Sequence, residues 1–135
     1  MSLKQLDHYN IRTSKPEETV AFYCDVLGCV DGFDRRPAIS SPGTWLLVED
    51  HPAVHVVFVE ADSESSTGPI DHVAFRAAGF LDISARLDGM DVDYDVAEYP
   101  QFDLIQVYLT DPNGVRVELN IPGEIEVVAA ARAES

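Results

Sequence analysis

Ile70-Asp71-His72-Val73-Ala74-Phe75-Arg76 is a near copy of Leu6-Asp7-His8-Tyr9-Asn10-Ile11-Arg12. Both stretches read aliphatic, Asp, His, two variable residues, apolar, Arg. The two histidines stand 64 residues apart in a chain of 135. A half-length repeat marked by an imidazole points to two copies of one unit, each bringing a metal ligand or proton carrier to a shared site.

Reading outward from each copy gives the same element order. Residues 5–12 alternate as a strand. Ser14, Pro16 and Glu17 then form a helix start, with Ser14 as cap and Glu17 as the capping-box acid. Val20, Tyr23, Val26 and Leu27 recur at helical spacing, and Gly28 suits a left-handed stop. A short strand at 29–33, a loop from 35 to 43, and strands at 44–49 and 53–59 around a turn at 50–52 complete the first unit. In the second, 70–76 is a strand and Phe80, Ile83, Leu87 and Met90 mark a helix. Strands follow at 92–97, 104–110 and 115–120, the last two joined by Asp111-Pro112-Asn113-Gly114, the strongest turn signal in the chain. The expected fold is α+β. Two βαβββ modules, about 4–60 and 70–121, form a curved mixed sheet around a concave site within one domain. A Ser-rich linker lies at 61–69, and the tail at 122–135 has weak helical character and is either mobile or packed on a partner.

Composition narrows the function. Nine Lys and Arg against 24 Asp and Glu give a net charge of -15, which excludes general affinity for nucleic acid or anionic membranes. The acids are scattered, as on a solvated surface, although such a charge also suits a cationic ligand. Cys24 and Cys29 fit neither a redox pair nor a zinc ribbon. With no apolar run near 18 residues, a reduced, cytoplasmic setting is expected.

Strand parity selects the candidate site. Val117 and Leu119 belong under the helices, which turns Arg116, Glu118 and Asn120 to the concave face. The same argument turns His8, Asn10 and Arg12 inward, and likewise His72 and His55. His8 to His55 spans 47 residues and His72 to Glu118 spans 46. His55 therefore stands in the first unit where Glu118 stands in the second. Four side chains, His8, His55, His72 and Glu118, are expected to converge on one divalent ion of the Fe, Mn, Ni, Co or Zn type. His55 is either a fourth ligand, a catalytic base or a substrate contact. Asn10, Gln106 and Tyr108 are candidate substrate contacts. Arg35 and Arg36 either reach an anionic substrate or are solvated, Trp45 is core or a pocket wall, and His51 is solvated in its turn. Asp7 and Asp71 lie on the opposite face from their histidines and pin strand ends or pair with arginines.

Three stretches, LDHYNIRTSKPEETVAFYCDVLG, IDHVAFR and DPNGVRVELN, resemble the vicinal oxygen chelate superfamily of glyoxalases, bleomycin-resistance proteins and extradiol dioxygenases. The resemblance spans about residues 4–121. It implies His8, His72 and Glu118 as metal ligands, with His55 where glyoxalase-like members commonly place a Glu ligand. It also implies a homodimer, a small-molecule substrate and metal-assisted chemistry on two adjacent oxygens, as a dioxygenase or a glyoxalase-like lyase or isomerase. The competing expectation is a metal-free protein that sequesters a cationic small molecule, as bleomycin-resistance members do.

Overall fold

Each echo motif opens a unit with one element order. A computed structural model describes residues 1–2, 4–37, 41–60, 67, 70 and 72–135. The chain divides into two compact units, Met1–Ser65 and Ser66–Ser135. The first runs β1 (Tyr9–Thr13), α1 (Pro16–Ala21) continuing as a π-helical turn (Phe22–Val26), β2 (Val30–Asp31), a 3-10 turn (Phe33–Arg35), β3 (Gly43–Val48) and β4 (His51–Phe58). The second runs β5 (Val73–Arg76), α2 (Phe80–Gly89), β6 (Asp95–Tyr99), a 3-10 turn (Pro100–Phe102), β7 (Leu104–Thr110), β8 (Arg116–Pro122) and α3 (Ile125–Glu134). The sheets are ordered β1-β4-β3-β2 and β5-β8-β7-β6. In each, the first and last strands pair in parallel and the others antiparallel. The α+β fold read from the two motifs is the fold observed.

Alternation decides which face is buried. Ile11, Val54, Val56 and Leu46 are at most 5% exposed on one face of the first sheet, and Tyr23 of the π-helical turn is fully buried. Ile105, Val107, Val117 and Ile121 are fully buried in the second, together with Val128 of α3. Each such aliphatic side chain contributes about 1.5–3 kcal/mol relative to exposure. The polar residues between them occupy the other face of each sheet, called here the open face.

Several boundaries depart from the sequence reading. The strands start later, at Tyr9 and Val73, so both motif histidines precede their ladders. Similarly, β6 begins at Asp95 rather than 92. The helix cap is Lys15 with Pro16 in the first turn, not Ser14. Thr13 Oγ1 accepts the Lys15 amide at 2.8 Å and meets Thr19 Oγ1 at 3.2 Å, tying strand to helix through two buried hydroxyls. The hairpin between β3 and β4 turns at Glu49 and Asp50, with φ of 47° and 69°, rather than at 50–52. Arg35 clamps that turn, donating to the Asp50 carbonyl and carboxylate at 2.7 Å each. His51 and Pro52 therefore belong to β4. Proline is tolerated there because β1 pairs with β4 only from Val54 onward. A β-bulge at Leu46 and Leu47 places both side chains in the core. The tail forms α3 and packs on its own unit. Glu124 accepts the amides of Gly79 and Phe80 at 2.8 and 3.0 Å, capping α2, and Arg132 pairs with Glu98 at 2.9 Å. Most of the 61–69 linker, and Asp71, lie outside the described residues. No described helix is long and apolar enough to cross a membrane.

Candidate functional site

The register makes the two histidine motifs equivalent. His8 lies two residues before Asn10, which pairs with His55. His72 lies two residues before Ala74, which pairs with Glu118. Across the next ladder Trp45 pairs with His55, and Tyr108 pairs with Glu118. His55 and Glu118 thus hold one position of the repeat, and Trp45 and Tyr108 hold the next.

On the open face of the first sheet these positions form a stack of three rings. His55 lies between His8, at a centroid distance of 3.7 Å and 11° between planes, and Trp45, at 4.5 Å and 16°. Burial between the two rings, and then the charge of His8, hold the His55 imidazole below its ordinary pKa. Asp7 departs from the sequence reading. Lying ahead of the strand, its carboxylate accepts His8 Nδ1–H at 2.7 Å, and its carbonyl accepts His51 Nε2–H at 2.7 Å. The His8 hydrogen bond, chiefly, keeps the Asp7 carboxyl below its usual range. His51 is accordingly tied to Asp7 rather than simply solvated. Asn10 is exposed on the same open face.

The second open face is carboxylate-centred. His72 Nε2 is 3.7 Å from Glu118 Oε1, and Glu118 is buried. Tyr108 donates its hydroxyl to Gln106 Oε1 at 2.6 Å, and Gln106 Nε2 reaches Asn120 Oδ1 at 3.4 Å. The Arg116 guanidinium lies 4.4 Å over the Tyr108 ring. Burial, and then the neighbouring Glu118 carboxylate, push the Tyr108 hydroxyl above its ordinary pKa. Since Ile105, Val107 and Leu109 are buried on the other side, Gln106 and Tyr108 meet the parity condition for facing Glu118.

The donor chemistry suits a borderline divalent ion, and the two pairs suit it differently. Two donors each about 2.1 Å from one ion lie about 3.0–3.5 Å apart. His72 and Glu118 need only a small side-chain rotation to reach that separation. A coordinated ion lies near the plane of each ligating ring. Two nearly parallel rings 3.7 Å apart share no such point, so one imidazole of the stacked pair, not both, is a ligand in this arrangement. With Nδ1 held by Asp7, His8 presents Nε2, the pattern typical of a metal-bound histidine with a carboxylate behind it. Among the described residues no three His, Cys, Asp or Glu side chains gather as a metal site; the donors occur as one pair per unit. Cys24 and Cys29 are free thiols, and burial, then Cys24, pushes Cys29 up to about 11, leaving it inert as a nucleophile near neutral pH.

Two residues whose alternatives the sequence left open are placed by the structure. Trp45, expected as core or a pocket wall, stacks on His55 on the open face. Arg36 extends to Gly43 on β3, donating from Nη2 to the Ser41 carbonyl at 2.8 Å. It is held in place rather than solvated.

Comparisons with known proteins agree with this architecture. A search of curated protein sequences returns no match. Among solved structures, a glyoxalase family protein from Bacillus anthracis superposes with a TM-score of 0.69 at 19% identity, over 91% of this chain and 98% of that one. The fosfomycin resistance protein FosX from Listeria monocytogenes gives 0.67 at 16%, over 93% and 98%. A FosX mutant complexed with Mn(II) and a dihydroxypropylphosphonic acid gives 0.68 at 15%, over 93% and 96%. At these identities the likeness is one of fold. The family model for the Glyoxalase/Bleomycin resistance protein/Dioxygenase superfamily matches residues 5–119, and the chain belongs to that superfamily.

Proposed function

We propose that this protein is a divalent-metal-dependent enzyme that acts on a small oxygen-rich substrate held through two adjacent oxygens, as a dioxygenase or a glyoxalase-like lyase or isomerase. One observation carries the reading: in both units a histidine precedes, by the same two residues, the strand position that pairs with a second metal-competent side chain. On this reading His8, His72 and Glu118 are the ligands. His55, kept from coordination by its stacking on His8, is the base. The FosX mutant named above, a protein of the same fold, was crystallised with Mn(II).

When bound, the divalent ion supplies Lewis-acid stabilisation of oxyanion charge on the substrate. The rest is done by side chains of this chain. Asp7 holds His8 by Nδ1–H and fixes which nitrogen faces the ion. His55, with its lowered pKa, is neutral at about pH 7 and accepts a proton from substrate, while Trp45 and His8 fix its plane. Tyr108 and Gln106 present polar atoms beside Glu118 and orient the substrate. Asn10, on the His55 side, adds a further contact. The same reading has the protein acting as a homodimer in the reducing cytoplasm.

A metal-free trap for cationic molecules needs carboxylates or aromatic faces free to meet a cation. The open-face positions of β1, β3 and β4 carry no acid, and Trp45 is already stacked on His55. Elemental analysis of protein purified without chelators decides between the readings. We expect close to one equivalent of metal; less than about 0.1 equivalent, with none taken up from Fe, Mn, Ni, Co or Zn salts, would sink the enzyme reading. Oxygen uptake with a catechol panel, beside a hemithioacetal isomerisation assay, separates dioxygenase from lyase or isomerase.

A further inference from the structure

His55 has a ring on each of its faces, His8 on one side and Trp45 on the other. The Trp45 side is dictated by the sheet. Trp45 and His55 are directly paired across β3 and β4, so their side chains rise side by side from one face. The indole is thereby built against the imidazole and stacks on it at a centroid distance of 4.5 Å, 16° from parallel.

The two flanking rings make a slot, and the slot limits what His55 can bind. An imidazole coordinates an ion that lies near its own ring plane. An ion held by His8 lies in the His8 plane, one ring spacing of 3.7 Å from His55. To reach it, His55 would have to turn edge-on toward that plane, and the opposite edge of its ring would run into the indole. The slot fits an imidazole lying flat and no other orientation. Attraction between the rings is too weak to hold His55 against a coordinate bond. The barrier is steric, and the size of the indole sets it.

The second unit lacks this slot at the same register. Tyr108, the counterpart of Trp45, pairs with Glu118. Its ring carries the Arg116 guanidinium and its hydroxyl is given to Gln106, while Glu118 Oε1 keeps within 3.7 Å of His72 Nε2.

We propose that Trp45 sets the ligand count of the metal centre: by closing the second side of the slot, it keeps His55 out of the coordination sphere. Trp45 is a positioning residue that acts through His55. This rests on the enzyme reading above, with His8, His72 and Glu118 as ligands, and gives a cause for the count of three. A centre with three protein ligands keeps one more position open than a centre with four. A substrate bound through two oxygens then leaves room for one further small molecule, such as molecular oxygen. Of the reactions named above, a dioxygenase makes use of that position.

The test uses the full chain, stripped with EDTA and reloaded with Mn(II). Chelator competition measures affinity, and pulsed EPR counts the imidazole nitrogens bound to the ion. The parent should show two, and His55→Ala should shift its affinity by less than about tenfold. In Trp45→Leu the slot is open on one side, so a third nitrogen should bind and affinity should rise at least about tenfold. Adding His55→Ala to Trp45→Leu should remove the third nitrogen and return affinity to the parent value, a coupling that a merely structural role for Trp45 would not produce. Trp45→Phe keeps a ring beside His55 and should keep two nitrogens. Trp45→Val, with a strand-favouring side chain, serves if Trp45→Leu fails to fold. Two nitrogens in the folded Trp45→Leu or Trp45→Val protein, three in the parent, or a gain in affinity that survives the loss of His55 overturns the proposal while the metal reading stands. A parent that takes up no metal overturns both.

Discussion

The two units share a backbone register and differ in what stands on it. In the first, the repeat positions carry His55 and Trp45, with His8 stacked alongside; in the second they carry Glu118 and Tyr108, with His72 alongside. One row further on, the first unit has Arg12, Val57 and Gly43, while the second has Arg76, Asn120 and Gln106. The second row thus carries a hydrogen-bonded polar pair beside its arginine, and the first carries a valine and a glycine there. The buried faces, by contrast, stay aliphatic in both. The positions that make a sheet bury one side are alike in both units, and the open faces differ. One became carboxylate-centred and closed by its own hydrogen bonds. The other is centred on an imidazole stacked between two rings.

The largest effects should be common to both units, because the buried faces are. Leu46 and Leu109 hold equivalent core positions and are 0% and 3% exposed. Leu46→Ala and Leu109→Ala should each cost about 2–5 kcal/mol in chemical denaturation. A loss below about 1 kcal/mol in one variant and a full loss in the other would break the equivalence of the two cores.

The next effect should split the units. Glu118→Gln leaves the shape but removes the charged donor, and metal affinity should fall by at least about 100-fold in a competitive chelator titration. His55→Ala, at the equivalent position, should retain metal within about tenfold and lose turnover instead. Equal loss of metal in both variants would make His55 a ligand and would require the ring stack to open.

Much of this was legible in the chain because it depends on periodicity. Period-two alternation gave the buried faces of β4 and β8, and the paired Asp-His motifs gave the repeat. The chain positions of His8, His55, His72 and Glu118 follow from the same counting. What escaped reading depends on where the ladders begin and on side chains meeting across the fold. Asp7 turned to its own histidine because the ladder begins four residues later than the alternation suggested, at Tyr9 rather than at residue 5. The turn at Glu49 and Asp50 lacks glycine, and the Arg35 clamp that accompanies it comes from 15 residues away. Ser14 lost the cap to a buried threonine pair, and Glu124 caps a helix 45 residues before it in sequence. The Asp7 and Thr13 contacts are close in sequence and depend on where the ladder starts, whereas those of Arg35 and Glu124 leave no local pattern.

Asp7 offers a finer test, because the equivalent Asp71 lies outside the described residues. Asp7→Asn should weaken metal affinity by about tenfold, by loosening the orientation of His8. Its carboxyl is held below the ordinary range in the folded state, so its contribution to stability is present above the unfolded pKa and is lost as pH falls through the folded one. Below about pH 4 the variant's stability should therefore decline less steeply with acid than that of the parent. Parallel acid limbs would show that the His8 bond does not perturb Asp7.

The smallest effect expected belongs to the second unit alone. Glu124 supplies both acceptors at the start of α2, where Gly79 has φ 86° and no side chain of its own to offer. The start of α1 differs: Pro16 has no N–H to satisfy, and Thr13 Oγ1 takes the preceding Lys15 amide. Glu124→Ala leaves the two amides to water and removes a negative charge from the positive end of the helix dipole. The cost should be about 1 kcal/mol. Hydrogen exchange should locate it at Gly79 and Phe80, with amides of α1 unchanged. Faster exchange spread evenly over both helices would mean that Glu124 supports the fold generally, rather than serving as the remote cap that α2 lacks in its own sequence.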